Sequence, residues 1–331
     1  MLKLGAQVLA VALALWTTTS TAFGQMVALD PNLPIYHPVS QDLQGEIKLA
    51  GSNTMSHVAA VWASGFRQFY PHVKFSINIT GSREAVSSVA NGQAQLGLLS
   101  RSIDQEEVTE FQRKLNYPPR VLTPCLERMA IYVHKDNPLP HLTLQQIDAI
   151  FSDDCKRGAE KPIRTWGQLG FPGAWASQPV VAQGRRDDTG SQVFFQEAVL
   201  LGGQYRADLQ NHPDNLELLN AIVNDPRSIG FAGLCYDNPK VRAVPIGIQA
   251  SGPFVGIDSP EADAGAYPLV RPLQFVVNHD PAKGLPALQA EFVKYVFSRL
   301  GQEDVIKAGF QSIPSQPANI ALDSVGLGVA R

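Results

Sequence analysis

The sequence lacks the residue patterns that common hydrolytic and metal-dependent enzymes require. Its seven histidines show neither His-x-x-x-His spacing nor clustering with aspartates. A glycine-rich P-loop and a G-x-S-x-G nucleophile elbow are also missing. A hydrolase would need a metal cluster or an activated nucleophile. We therefore predict that the chain is not an enzyme and uses no metal and no cofactor.

Cysteine is scarce, and its spacing does not suggest a metal or redox site. The three cysteines, Cys125, Cys155 and Cys235, contain no C-x-x-C pair. In an exported protein, two of them could form a disulfide and leave one free thiol. Buried free cysteines are the alternative for all three, and the sequence leaves the choice open.

Positive charge is not in excess either. The 27 lysines and arginines and the 30 aspartates and glutamates give a formal net charge of −3. A nucleic-acid-binding protein needs a basic face, so we predict no nucleic-acid partner. The sequence also lacks internal repeats and low-complexity tracts, and its length suits two lobes of ordinary domain size.

The apolar run near the N-terminus, Val8–Trp16, is far shorter than the ~20 residues of a membrane-spanning helix. It follows Lys3 and precedes Ala22-Phe23-Gly24, a small-x-small pattern typical of signal-peptide cleavage. We predict that residues 1–24 form an export signal, cleaved before Gln25, and that the protein is periplasmic. A buried N-terminal helix is the alternative, but the run has no amphipathic pattern.

Small hydroxyl residues follow four predicted strands, at the points where loops lead into predicted helices. An irregular, proline-rich leader, residues 25–45, precedes these strand–loop–helix units. In an open α/β sheet, ligands lie at the carboxyl ends of the strands, so we expect the four loops to converge. The loops are, in chain order, residues 51–56, 81–82, 100–102 and 184–192.

The loop 184–192 has the composition of an anion-binding helix start. The first N–H groups of a helix lack intrahelical partners, and the macrodipole adds positive charge there. Thr189 and Ser191 supply hydroxyl donors, and Gly190 lets a ligand approach the backbone. Arg185 can add a planar, bidentate positive charge. Ordinary helix capping is the alternative for any one loop, but four such loops favour an oxyanion cage.

Two predicted strands connect the two halves of the chain. Residues 128–134 leave the first half, and residues 268–278 return to it. This pattern predicts a discontinuous first lobe with a second lobe inserted into it. We therefore assign residues 46–127 and 268–331 to lobe 1, and residues 128–267 to lobe 2.

The loop sequences and a few further segments form an ordered set between Glu46 and Pro314. The segments include Gly51-Ser52-Asn53-Thr54-Met55, Gly81-Ser82, Ser100-Arg101, Val133–Pro138, Gly184-Arg185, Thr189-Gly190-Ser191, Ile229–Leu234 and Tyr267–Leu273. In this order and spacing they resemble the periplasmic phosphate-binding proteins of ABC transporters, the PstS-like family. Each segment is short, and the specificity of the resemblance lies in their order.

The resemblance implies an α/β fold of the type II periplasmic binding protein class. In this Venus-flytrap fold, two lobes joined by two hinge-crossing strands close on a ligand. The resemblance also implies inorganic phosphate in the interlobe cleft, an ABC transporter membrane permease as partner, and a monomeric protein. We expect Arg185, more than Arg101, to contact the ligand directly. By position, the implied phosphate contacts are Thr54, the N–H of Met55, Ser82, Ser100, Arg101, Arg185, Thr189, Gly190 and Ser191.

Two departures from the family's pattern bear on which oxyanion is bound. Arg83-Glu84 replaces glycines in the second loop, and Ser100 stands where some members have aspartate. A buried carboxylate accepts a hydrogen bond from protonated phosphate and repels sulfate. Without it, selectivity would come from Asp187, Asp188 or Glu84. The sequence also leaves open a phosphate-binding scaffold for scavenging, adhesion or signalling and, less favoured, an exported phosphatase.

Overall fold

The computed structural model describes residues 29–40, 43–233 and 238–328. The predicted export signal and Cys235 lie outside these residues. Within the described part of the chain, no helix combines the length and apolar character needed to cross a membrane. Cys125 and Cys155 are buried free thiols, and burial raises the pKa of the Cys125 thiol well above its usual value. The two are therefore not paired with each other.

The described residues form an α/β fold. The strands are β1 Gly45–Gly51, β2 Val73–Ile79, β3 Leu96–Leu99, β4 Arg120–His134, β5 Leu142–Thr143, β6 Val181–Arg185, β7 Gln210–His212, β8 Ser228–Gly233, β9 Val241–Ala243, β10 Ile246–Gly247, β11 Val270–Val277 and β12 Gln311–Ser312. The helices are α1 Ser56–Phe66, α2 Ser82–Ala90, α3 Gln105–Leu115, α4 Leu144–Phe151, α5 Gly190–Ala198, α6 Asn215–Asn224, α7 Pro260–Asp263, α8 Ala287–Phe297, α9 Arg299–Lys307 and α10 Ser315–Ser324.

One mixed sheet runs through the molecule in the order β2-β1-β3-β11-β4-β8-β6-β7. In the first half, β1 is parallel to β2 and β3, whereas β11 is antiparallel to β3 and β4. In the second half, β8 is antiparallel to β4 and parallel to β6, which is parallel to β7. Each half therefore has its own group of parallel strands, and the carboxyl ends of each group carry the predicted loops.

The first half has a core between its sheet and helices α1, α8 and α9. Helix α1 buries Val58, Trp62 and Phe66, which recur every four residues and so lie on one face. The ring centroids of Phe66 and Phe292 of α8 are 5.3 Å apart in an edge-to-face contact. This packing holds the start of α1 at the end of β1.

The second half has a separate core. It includes Phe151 of α4, Phe195 of α5 and Phe231 of β8, all fully buried. The rings of Phe195 and Phe231 stack with centroids 3.8 Å apart. Because Phe195 lies one turn after the start of α5, this contact fixes the loop before α5 relative to the sheet.

Two strands cross between the halves, as the sequence predicts. Strand β4 is 15 residues long and pairs with β11 at one end and with β8 at the other. Strand β11 begins beside the second core, which includes Leu269, and continues into the first core, which includes Leu273. We call the half with β1–β3 lobe 1 and the half with β6–β8 lobe 2. The lobe boundaries given above remain a prediction.

The part of the leader that the structure describes, from residue 29 onwards, is largely irregular and packs against lobe 1. Leu33 and Tyr36 are buried, and the Tyr36 hydroxyl donates to Glu291 of α8 at 2.8 Å. The Asp30 carboxylate accepts hydrogen bonds from the backbone N–H groups of Asn32 and Ser315, each at 2.8 Å. The bond from Ser315, at the start of α10, is the largest cause that lowers the pKa of Asp30 to about 2.

Three helices and one helix end differ from the sequence-based expectation. Helices α3, α7 and α10 have no counterpart in the prediction, because each buries few apolar residues. In the sequence, Gly301 favours a stop or kink in the C-terminal helix, but α8 already ends at Phe297. Ser298 then caps α9, its hydroxyl accepting from the Gly301 N–H at 3.4 Å.

Candidate functional site

Three serines at the ends of lobe 1 strands form a hydroxyl cluster, which we define as Ser52, Ser82 and Ser100. The Ser52 hydroxyl donates to the Ser100 hydroxyl at 2.8 Å. The Ser82 and Ser100 hydroxyl oxygens are 3.2 Å apart, and the Ser100 N–H donates to the Ser82 hydroxyl at 3.3 Å. All three residues are buried. Because a hydroxyl can rotate to donate or accept, the cluster can turn its hydrogens towards an anion.

Two helices of lobe 1 start beside this cluster without a capping side chain. In the described residues, α1 follows Met55 and α2 follows Gly81, and neither position supplies a side-chain cap hydrogen bond. Serine is a preferred N-cap residue, so the sequence favours Ser82 as the cap of α2. In the structure Gly81 takes that position with φ +87°, and Ser82 is the first helical residue. The Ser82 hydroxyl is thereby free of the capping role and lies in the hydroxyl cluster.

The loop before α5 brings lobe 2 into direct contact with the hydroxyl cluster. A Cβ atom built on Gly190 would lie 2.2 Å from the Ser100 hydroxyl oxygen and 3.0 Å from that of Ser82. Only glycine permits this approach of the two lobes. Thr189 caps α5, since its hydroxyl accepts from the Gln192 N–H at 3.3 Å and donates to the Arg186 carbonyl at 2.8 Å.

A buried arginine on β11, Arg271, connects the loops of both lobes. Its Nη1 donates to the Ser100 carbonyl at 2.8 Å and to the Gly190 carbonyl at 3.0 Å. Its Nη2 donates to the Ser191 hydroxyl at 2.9 Å and to the Thr54 hydroxyl at 3.4 Å. Arg271 is 1 % exposed, so these groups and its carboxylate partner replace water around the charge.

The carboxylate partner of Arg271 is Glu127 on β4. The Arg271 Nε donates to Glu127 Oε2 at 2.6 Å, and Nη2 also contacts that oxygen. Glu127 is 2 % exposed, and its Oε1 has no hydrogen-bond partner within the described residues. A fully buried ion pair therefore lies directly beneath the contact between the lobes.

Arg185 has hydrogen-bond partners in its own lobe. Its guanidinium donates to the Pro213 carbonyl at 2.8 Å, to the His212 carbonyl at 3.3 Å and to the Asn215 side chain. The His212 ring bonds the Gln183 side chain at 2.7 Å, and its pKa is lowered mainly by burial. These contacts tie the end of β6 to the turn between β7 and α6.

Arg101 pairs with a carboxylate of lobe 1. Its guanidinium donates to both oxygens of Glu107, at 2.6 and 2.8 Å, and this hydrogen bonding raises the pKa of Arg101. It also donates to the Ser82 carbonyl at 3.3 Å. Because Glu107 belongs to the capping box of α3, Arg101 fixes the start of α3 beside the second loop.

The structure brings together five of the predicted contacts and directs others elsewhere. Five of them surround the Arg271 guanidinium or adjoin its hydrogen-bond partners: Thr54, Ser82, Ser100, Gly190 and Ser191. The polar groups of Arg101, Arg185 and Thr189 have the partners given above, and the Met55 side chain is buried in the lobe 1 core. Whether each residue contacts a ligand remains a prediction.

The sequence reasoning missed Ser52, Glu127 and Arg271 as site residues. A signal for Arg271 was available, because it is the one charged residue in a largely apolar predicted crossing strand. Arginine is almost never fully buried without a partner, so such a position predicts a buried ion pair. The identity of that partner depends on the pairing of β4 with β11, which the sequence alone does not give.

Comparison with known proteins places the chain in a family. Residues 38–299 match the family model of the PBP superfamily domain. The chain is 34 % identical to the phosphate-binding protein PstS of Pseudomonas aeruginosa, over 92 % of this chain and 94 % of that protein. It is 26 % identical to the protein SphX of Synechococcus elongatus, over 80 % of this chain and 77 % of that protein.

Solved structures share the fold. An ABC-type phosphate transport receptor from Vibrio cholerae superposes with a TM-score of 0.63 at 18 % identity, covering 81 % of this chain and 100 % of that one. A protein from Clostridium perfringens, assigned to phosphate ABC transport and solved with bound phosphate, superposes with a TM-score of 0.66 at 23 % identity, with the same coverage. The fold is thus that of the two-lobed periplasmic binding proteins, as predicted.

The matched family consists of binding proteins rather than enzymes, in agreement with our prediction. The family model, the P. aeruginosa relative and the shared fold give the same assignment. This chain belongs to the PstS-like family of phosphate-binding proteins within the PBP superfamily.

Proposed function

We propose that this chain is an exported solute-binding protein that captures inorganic phosphate between its two lobes and delivers it to an ABC transporter permease. The observation that carries the proposal is the meeting of hydroxyl groups from both lobes around one buried guanidinium, that of Arg271. The phosphate-binding protein PstS of P. aeruginosa and the phosphate transport receptor of V. cholerae support phosphate as the ligand and transport as the role.

The chemistry of the site suits a small tetrahedral oxyanion. Helices α1, α2 and α5 begin at the junction, where unpaired backbone N–H groups and the helix dipoles favour negative charge. The hydroxyl cluster, together with Thr54 and Ser191, adds donors that can turn towards several oxygens at once. Such a site binds through many short hydrogen bonds and needs little net positive charge.

Ligand entry requires motion at the hinge. The loop at Gly190 touches the Ser100 and Ser82 hydroxyls directly, so the lobes have to separate before an anion can lie between them. A ligand that contacts both lobes then favours a closed arrangement over an open one. Strands β4 and β11 are the two connections through which this motion would pass.

The proposed phosphate contacts fall into two groups. The first group is supported as ligand contacts by its position at the junction of the lobes, and it comprises Thr54, Ser82, Ser100, Gly190 and Ser191. The Met55 N–H belongs with them, because α1 begins directly after it. Arg101, Arg185 and Thr189 form the second group, since each would have to exchange a present hydrogen-bond partner for the ligand.

Calorimetric titration tests this function. Protein starting at Gln25 is unfolded, refolded free of ligand, and titrated with phosphate and then with sulfate. We expect phosphate to bind and sulfate to give no heat. Binding of both anions, or of sulfate alone, would reassign the selectivity of the site. The absence of binding heat with both anions would reject the proposal.

A pair of serine variants on one helix locates the site. Ser82→Ala removes a hydroxyl of the cluster, and Ser87→Ala removes an exposed hydroxyl of the same helix, α2. We expect Ser82→Ala to weaken phosphate binding by about 1 kcal/mol, the typical contribution of one hydrogen bond, and Ser87→Ala to leave it unchanged. Equal effects of the two changes would place the ligand elsewhere.

A further inference from the structure

We propose that Arg271 and Glu127 form a specificity-determining pair, in which Arg271 positions the loops of both lobes and Glu127 limits the positive charge offered to the anion. The inference rests on the proposed function, because it takes the junction of the lobes to be the anion site. Neither Arg271 nor Glu127 is among the phosphate contacts predicted from the sequence.

The first support is the reach of the Arg271 side chain. In lobe 1 it donates to the Ser100 carbonyl and the Thr54 hydroxyl, and in lobe 2 to the Gly190 carbonyl and the Ser191 hydroxyl. Its Cζ also lies 5.4 Å from the centre of the Phe194 ring on α5. Because the guanidinium is planar and rigid, these bonds fix the relative position of the two loops.

The second support is the space made for Glu127. A Cβ atom on Gly233 of β8 would lie 1.9 Å from Glu127 Oε1, so the glycine leaves room for the carboxylate. That oxygen is buried and has no hydrogen-bond partner in the described part of the chain. The structure thus buries the Glu127 carboxylate in direct contact with the Arg271 guanidinium, whose positive charge it offsets.

The charge balance bears directly on anion choice. The hydroxyl cluster consists of three serines and itself carries no carboxylate. Glu127 offsets the charge of Arg271 next to the cluster. Coulomb energy is proportional to the charge of the ligand, so this offset costs a dianion about twice as much as a monoanion. At mildly acidic pH, phosphate is mainly a monoanion and sulfate is a dianion, so Glu127 favours phosphate.

The alternative is a purely structural ion pair at the hinge. A neighbouring residue provides the matched control, because Arg128 on β4 pairs with Val270 across the two crossing strands. Arg128 is also buried, and its guanidinium donates to the Ile257 and Ala262 carbonyls and to Asp263, all in lobe 2. Both arginines are buried on the crossing strands, but of the two it is Arg271 that bonds the loops of both lobes.

The experiment compares phosphate and sulfate dissociation constants for wild type, Glu127→Gln, Arg271→Gln, Arg271→Lys and Arg128→Gln at mildly acidic pH. Glu127→Gln should lower the ratio of the sulfate to the phosphate dissociation constant by roughly tenfold. Arg271→Gln should weaken phosphate binding by at least about tenfold. Arg271→Lys should recover only part of that loss, because lysine keeps the positive charge but lacks the planar set of N–H donors of the guanidinium. Arg128→Gln should change neither value.

The outcomes separate this inference from the proposed function. If wild type binds neither anion, the proposed function fails, and this inference falls with it. If wild type binds phosphate but Glu127→Gln keeps the wild-type ratio, the inference alone is overturned. Equal losses in Arg271→Gln and Arg128→Gln would likewise reduce the pair to a structural role. If Arg271→Gln does not fold, two measurements still test the inference. They are the ratio of the sulfate to the phosphate dissociation constant in Glu127→Gln and the phosphate affinity of Arg271→Lys.

Discussion

Two buried arginines, one on the crossing strand β11 and one at the end of β6, serve different regions of the molecule. Arg271 donates to groups of both lobes, whereas the guanidinium bonds of Arg185 given above stay within lobe 2. Arg185 lies in the loop with the sequence features of an anion site, and Arg271 lies in a strand without them. The comparison shows that the position of an arginine along the chain does not fix the direction of its guanidinium.

The largest effect on phosphate affinity is expected at the contact between the two lobes. Gly190→Ala would place a methyl group 2.2 Å from the Ser100 hydroxyl oxygen, so the lobes could not close fully. We expect phosphate affinity to fall by about 3 kcal/mol, the upper end of typical overpacking costs, while lobe 2 remains folded. Calorimetry measures the affinity, and circular dichroism monitors the fold.

Gly256→Ala is the control for this change. A Cβ atom on Gly256 would come no closer than 3.6 Å to its neighbours, so the substitution is tolerated and should leave affinity unchanged. Wild-type affinity in Gly190→Ala would mean that phosphate binding does not need the present contact between the lobes.

A smaller effect, of a different kind, is expected from Arg185→Ala. Two carbonyls and the Asn215 side chain lose a charged donor, so the free energy of unfolding should fall by about 2 kcal/mol. Urea unfolding measures this loss, and calorimetry measures phosphate binding on the same preparation. A loss of phosphate affinity of at least ~2 kcal/mol with unchanged unfolding would instead support the direct ligand contact that the sequence favours.

The smallest expected effect is a pH dependence in the region around Arg185. Burial is the main cause that lowers the pKa of His212, so the folded protein binds this proton less readily than the unfolded chain does. The unfolded state therefore binds more protons below the ordinary histidine pKa of about 6.5, and stability falls as the pH drops through that range. His212→Gln should flatten this part of the stability curve.

The exposed His72 is the control for this prediction, because His72→Gln should leave the slope as it is in the wild type. The measurement is urea unfolding at a series of pH values. An identical slope in wild type and His212→Gln would separate His212 from the acid sensitivity of lobe 2.

Features that depend on local patterns were predictable from the sequence. The apolar strands, the hydroxyl loops at their ends and the two crossing strands follow from periodicity and turn residues. The meeting of Ser82 with Ser100 follows from the parallel arrangement of β1, β2 and β3, which brings strand ends to one edge. Family resemblance then supplied the ligand class.

Features that depend on tertiary pairing were not predictable. Helix α3 has Phe111 as its buried residue, so it shows no apolar stripe. Glu127 becomes the partner of Arg271 only because β4 pairs with β11 and both side chains point to the same side. Arg101 and Arg185 have several oxygen acceptors within reach, and only the folded backbone decides among them.

The discontinuity of lobe 1 has a consequence for the order in which the chain can fold. The core of lobe 2 is built from one continuous stretch, Met129 to Leu269, so it can form as soon as that stretch is available. Trp62 and Phe66 of lobe 1 pack against helices that follow lobe 2, including Phe292 of α8. Their apolar surface stays exposed until the last quarter of the chain arrives. Lobe 1 is therefore the part of a nascent or truncated chain most prone to aggregation.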